Sequence, residues 1–187
     1  MKAKPTKHPG RVVLELDRRD EPLMAAASAG AARSPFRLKR ILVPIDFSDC
    51  AKKALQYAIP LAKEHEAALT VLHVVQTPPY IAGEYGVVDC ASLQAEMRVT
   101  GENQLCALVR DEVRGEVSAN TLVRGGYPTG EIIDVAKSLP ADLIVISTHG
   151  RTGLKHVLLG SVAEHVVRHA PCPVLVVREH EHKFIAA

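Results

Sequence analysis

The sequence contains no tryptophan, and aromatic residues of all kinds make up 4% of its 187 positions. Aromatic platforms on which single-stranded bases stack are therefore not expected. There are four cysteines, Cys50, Cys90, Cys106 and Cys172, and no two of them stand at CxxC spacing. That excludes a zinc ribbon and a thioredoxin-like redox pair, and it leaves free thiols in a reducing compartment as the reading. Cys50 and Cys172 flank expected core elements and are read as small apolar residues. No apolar run approaches the roughly 18 residues of a membrane-spanning helix. The net charge of +2 is too small to argue for nucleic acid. A Walker A pattern, G-x-x-x-x-G-K-[ST], is also missing. No lysine is placed to reach a γ-phosphate in that way, and no general base or arginine finger is evident, so any phosphoryl chemistry should be slow.

What is present points to a globular fold. Hydrophobic residues account for 47% and charged residues for 24%, a balance that packs one domain of ordinary size. Charge is unevenly placed. Residues 1–40 hold ten Lys/Arg and four Asp/Glu, while 41–187 hold thirteen and seventeen. The sequence thus divides into a basic arm (1–39), expected to be flexible, a mildly acidic domain (40–179) and a polar tail (180–187). The arm lacks the apolar stretch of a secretory signal, and Glu15, Asp17, Asp20 and Glu21 argue against an organelle transit peptide. Its run Val12-Val13-Leu14 is suited to add a strand or to dock on a partner.

From Arg40 onward, β-type runs alternate with helical spacing. Residues 41–46 (ILVPID) form a first strand. Ser48 then occupies an N-cap position, and Ala51, Ala54, Leu55, Ala58, Leu61 and Ala62 follow on one helical face. Residues 68–75 predict the second strand, and 76–90 a loop of the length that is usually functional or mobile. A helix over 91–114 follows, with Gly101 as an oddity in its middle. Further elements are expected as strand 117–124, helix 131–138, strand 142–147, a helix from Gly160-Ser161 to His169, and strand 174–177. This alternation predicts an α/β fold, a doubly wound five-stranded parallel sheet with right-handed crossovers. In such sheets ligands bind beyond the C-terminal strand ends, where the strand order reverses.

The loop after the fourth strand reads Ser147-Thr148-His149-Gly150-Arg151-Thr152-Gly153, and Gly160-Ser161 then opens a helix. Glycines allow close backbone approach, and such turns aim several N–H groups at an anion. A helix start adds unpaired donors and partial positive charge. Gly150 and Gly160 together point to phosphate. His149 has no evident carboxylate partner and is read as structural.

Residues 41–48 (ILVPIDFS), the stretch DLIVISTHGRTGL and the stretch LLGSVAEHVVRHAPCPVLVV resemble the universal stress protein family, over Arg40 to about Arg178. The resemblance implies a Rossmann-like adenine-nucleotide-binding fold with strand order 3-2-1-4-5. ATP-binding members carry Gly, two residues, Gly, nine residues, then Gly followed by Ser or Thr. Here Gly150 and Gly160-Ser161 match at that spacing, whereas Ser147 stands in place of the first glycine, bringing a Cβ toward the ligand path.

By the same resemblance, Pro44, Ile45 and Asp46 line the adenosine end of the site, with Asp46 accepting hydrogen bonds from adenine or ribose. Asp46 equally suits a turn before the Ser48 helix. Val74 and Ile146 would wall the adenine, Ser147, Gly150, Arg151 and Gly153 would surround the phosphates, and Gly160, Ser161, Val162 and Ala163 would close the site. No catalytic residue and no protein metal site is expected. The implied function is that of a cytoplasmic, ATP-binding regulatory protein of stress response, taking ATP with Mg²⁺. The implied assembly is a homodimer paired through strand 173–177, with neither membrane nor nucleic acid as partner and the downstream protein unspecified. The alternatives are a nucleotide-independent dimeric interaction module and a weak ATPase.

Overall fold

The computed structural model describes residues 2–5, 12–15, 37–76, 90–148 and 159–178. Its contacts divide the chain into two units, Met1–Arg37 and Leu38–Ala187. In the first, β1 (Lys2–Pro5) pairs antiparallel with β2 (Val12–Glu15), Lys2 opposite Glu15 and Pro5 opposite Val12. The Val12-Val13-Leu14 run thus lies in a two-stranded sheet of its own. The second unit takes in Lys39, because the Lys39 and Arg40 amides both donate to Asp142 Oδ2, at 2.8 and 2.9 Å.

The second unit runs β3 (Arg40–Ile45), α1 (Asp49–His65), β4 (Ala68–Val75), α2 (Cys90–Val113), β5 (Ala119–Gly125), α3 (Pro128–Ser138), β6 (Leu143–Ser147), α4 (Ser161–His169) and β7 (Val174–Val177). The strands are all parallel in the order β5-β4-β3-β6-β7, which is 3-2-1-4-5 counted within this unit. Local chemistry explains most of the boundaries. Ser48 caps α1, its Oγ accepting from the Ala51 amide at 3.2 Å. Glu66 ends α1 in a left-handed conformation, its amide donating to the Ala62 and Lys63 carbonyls. Two expected boundaries move by more than one residue. Helix α3 starts at Pro128 rather than 131, because proline at the first helical position loses no hydrogen bond and already has helical φ. Strand β5 starts at Ala119 rather than 117.

Alternation along the central strand creates two cores. Ile41, Val43 and Ile45 pack with Leu69, Val71 and Val145 against Ala54, Leu55 and Ala58 of α1 and Leu105 of α2. Leu42, Leu72, Ile144 and Ile146 pack on the other face with Ile132 and Val135 of α3 and Ala163 and Val166 of α4. Strands covered on both faces must be apolar throughout, which is why β3 reads as an unbroken run. Each fully buried aliphatic side chain contributes about 1.5–3 kcal/mol.

Among the described residues Cys50, Cys106 and Cys172 are free thiols, Cys50 buried, Cys172 half-buried and Cys106 exposed. Burial, and secondarily the Asp142 charge, push the Cys172 thiol above the ordinary range. The folded chain therefore holds this proton more tightly than the unfolded one. Its contribution to stability is complete below the unfolded thiol value and is lost as pH rises through the folded one. Peptide-resolved alkylation should show a pH midpoint for Cys172 above that of the same peptide in urea; coincident midpoints would contradict the assignment.

Candidate functional site

The candidate site begins where the pairing of two neighbouring strands ends. The Lys39 carbonyl accepts from Ala68 on the β4 side, and the Arg40 carbonyl accepts from Asp142 on the β6 side. In a strand, the N–H and C=O of one residue point the same way and successive residues alternate. Residues 40, 42 and 44 therefore face β6. Pro44 has no N–H to give there. The register between β3 and β6 accordingly covers only Ile41 with Leu143 and Leu42 with Ile144, whereas β3 and β4 stay in register from Arg40 to Ile45. The hydrogen-bonded register between β3 and β6 thus stops short of their C-terminal ends, at the point where the strand order reverses.

The turn leaving β3 is tightly built. Asp46 Oδ1 accepts from the Ser48 amide at 3.1 Å and from the Ser48 hydroxyl at 2.6 Å. The structure therefore gives Asp46 the turn role. Between them Phe47 has φ 66°, the left-handed region. A bulky side chain is rarely found there, at a cost of about 1–3 kcal/mol that the surroundings must offset. Phe47 packs on His73, ring centroids 4.5 Å apart. Nothing in the residue type foretold this conformation.

On the other lip, the Thr148 amide donates to the Val177 carbonyl at 2.9 Å, and the Gly160 amide donates to the Thr148 carbonyl at 2.7 Å. These bonds pin the start of α4 to the end of β6. Thr148 is buried, a feature the sequence reading missed. The N-cap is Gly160, not Ser161, in an extended conformation (φ −69°, ψ 155°) with no cap side chain; Ser161 is the exposed first helical residue. The first-turn amides of Ser161, Val162 and Ala163 have no acceptor within the helix, and the positive end of the helix dipole lies there.

The Cβ of Ser147 lies on the α1 side of the sheet. Leu143 and Val145 contribute to the core beneath α1, and Ile144 and Ile146 to the core beneath α4. By alternation, buried Ser147 shares the α1 face, opposite the face that carries α4. Its φ is not left-handed, so glycine is not demanded at that position. Val74, Ile146, Val162 and Ala163 meet in the α4-side core, while Pro44 and Ile45 are buried at the end of β3. Gly150, Arg151, Gly153 and His149 lie outside the described residues, as does most of the 76–90 loop. Among the described residues, no group of three or more His, Cys, Asp or Glu is placed to hold a metal ion, and no helix is long and apolar enough to cross a membrane.

Comparison with known proteins agrees with this frame. The model of the universal stress protein family matches residues 37–178. Universal stress protein MJ0531 of Methanocaldococcus jannaschii is 36% identical over 141 residues, covering 75% of this chain and 82% of that protein. The structure of UspA from Lactobacillus plantarum superposes with a TM-score of 0.68 at 32% identity, over 76% of this chain and 99% of that one. A universal stress protein from Archaeoglobus fulgidus, solved in complex with dAMP, gives a TM-score of 0.54 at 25% identity, over 76% and 99%.

Proposed function

The chain belongs to the universal stress protein family, and from that premise we propose that it binds ATP, with Mg²⁺, in the opening between β3 and β6 and acts as a nucleotide-responsive regulatory protein of the cytoplasm. The observation that carries the reading is the end of the β3–β6 register before Pro44, where the strand order reverses, together with the start of α4 pinned to the end of β6. A relative solved with dAMP supports adenine nucleotide as the ligand class.

In this reading the Asp46 turn meets the adenosine, and Val74 and Ile146 give it an apolar wall. The phosphates lie toward α4, where the Ser161, Val162 and Ala163 amides donate and the helix dipole favours anions. Gly150, Arg151 and Gly153 complete the phosphate loop, Arg151 as a charged partner. Ser147 borders the opening with its backbone. Bound ATP supplies charge and contacts that favour one conformation over another; it shifts the equilibrium only by its difference in affinity for the two. No base is assigned to activate water, so hydrolysis is at most slow.

Melting with and without nucleotide tests the proposal. Ligand at one hundred times its Kd stabilises by about 2.7 kcal/mol, which raises Tm by several degrees in a domain of this size. A rise with ATP and Mg²⁺ is expected. An unchanged Tm at millimolar nucleotide would favour the second reading, a dimeric interaction module that uses no nucleotide, for which the apolar edge strand β7 is the motivating feature.

A further inference from the structure

His73 lies on β4, next to the Asp46 turn. It stands opposite Ile45 in the β3–β4 register, and its Nδ1 lies 2.8 Å from the Ile45 carbonyl oxygen. A carbonyl only accepts, so Nδ1 carries the hydrogen and the tautomer is fixed. The ring also packs on Phe47, with centroids 4.5 Å apart. Ile45 and Phe47 are the two neighbours of Asp46, so one side chain holds both flanks of the residue placed at the ligand. Phe47 is also the residue with the left-handed φ, a conformation that persists only when its surroundings over-determine it.

The ring also lies close to Gly101. A Cβ built on Gly101, in the middle of α2, would come 3.1 Å from His73 Cδ2, closer than side chains ordinarily tolerate, but at 3.6 and 3.7 Å from Val75 and Val123 it would only touch. The glycine that weakens the helix thus leaves room for one imidazole in particular.

We propose that His73, seated in the space left by Gly101, is a positioning residue that locks the Asp46–Ser48 turn in its binding conformation and thereby sets nucleotide affinity from beneath the site. The affinity part rests on the nucleotide-binding reading above; the locking of the turn does not. The connection makes α2, through Gly101, a lever on the site.

The experiment pairs ATP titration calorimetry with residue-resolved hydrogen exchange on three variants of the full chain. His73→Leu removes the donor and the ring. His73→Asn keeps an N–H near the Nδ1 position. Gly101→Ala pushes the ring by a few tenths of an ångström while favouring the helix. His73→Leu should weaken ATP by about tenfold, the worth of one hydrogen bond, and speed exchange of the Ser48 and Ala51 amides, with His73→Asn recovering part of both. Gly101→Ala should move affinity and exchange in the same direction without lowering Tm. If His73→Leu does not fold, the other two variants carry the test. Unchanged affinity and unchanged local exchange would overturn the proposal, as would exchange that accelerates uniformly over the whole domain. If the parent chain fails to bind ATP, the nucleotide reading falls and the exchange data alone decide whether the turn is locked.

Discussion

Gly160→Val should abolish the ATP-induced rise in Tm while leaving the protein folded. The backbone at this position is extended, φ −69° and ψ 155°, a region in which β-branched residues are comfortable. The Gly160 amide that donates to Thr148 is retained. Valine is a poorer N-cap than glycine, so a loss on the order of 1 kcal/mol is expected in the unliganded protein. The isopropyl group, however, stands over the first-turn amides of α4, the proposed seat of the phosphates. Excluding them should cost about 3 kcal/mol of binding, roughly a hundredfold in Kd. Gly160→Ala should fall between the two. A full thermal shift retained by the valine variant would remove α4 from the site.

Val176→Pro should convert a dimer into monomers, or into aggregates if the exposed edge finds other partners. Strand β7 lies at the edge of the sheet, and an uncovered apolar edge is a template for pairing. Membership of the family motivates the proposal that a second copy covers it about a two-fold axis. The hydrogen bonds specify which residue to change. The carbonyls of Pro173 and Val177 accept from Ile144 and Thr148, so the odd-numbered residues face β6. Val174 and Val176 face outward. Proline at 176 therefore deletes a donor on the open side and leaves the bonds to β6 intact. Proline at Leu175 would instead break the internal ladder and destabilise the fold. Size-exclusion chromatography with light scattering should give twice the 20.2 kDa chain mass for the parent protein and the single mass for Val176→Pro. An unchanged elution volume would refute pairing through this edge.

The parts of the fold that were legible in the sequence are those fixed by local chemistry. Strands β4 and β7 begin and end as read, because each is a short apolar run rich in β-branched residues. The start of α1 was legible because Ser48 caps it with its own hydroxyl. The start of α3 was less legible, since the proline at its first position is a residue that both breaks helices and begins them. The start of α4 was legible as Gly160-Ser161, and the bond from Gly160 to Thr148 accompanies a cap at Gly160 with Ser161 as the first helical residue. The site's remaining features depend on pairing. The consequence of Pro44 appears only when the side of the strand it faces is known. The face taken by Ser147 follows from the two cores. The left-handed Phe47 and the glycine at 101 both trace to His73, a residue distant in sequence from each.

The central claim is that the opening between β3 and β6 receives an adenine nucleotide. Crystals grown with ATP and Mg²⁺ test it most directly. Density for adenosine is expected between the Asp46 turn and Val74, with phosphates reaching the α4 amides past a Ser147 side chain turned toward α1. A cleft that stays closed or empty at saturating ATP, with the Ser147 side chain filling the phosphate path, would contradict it.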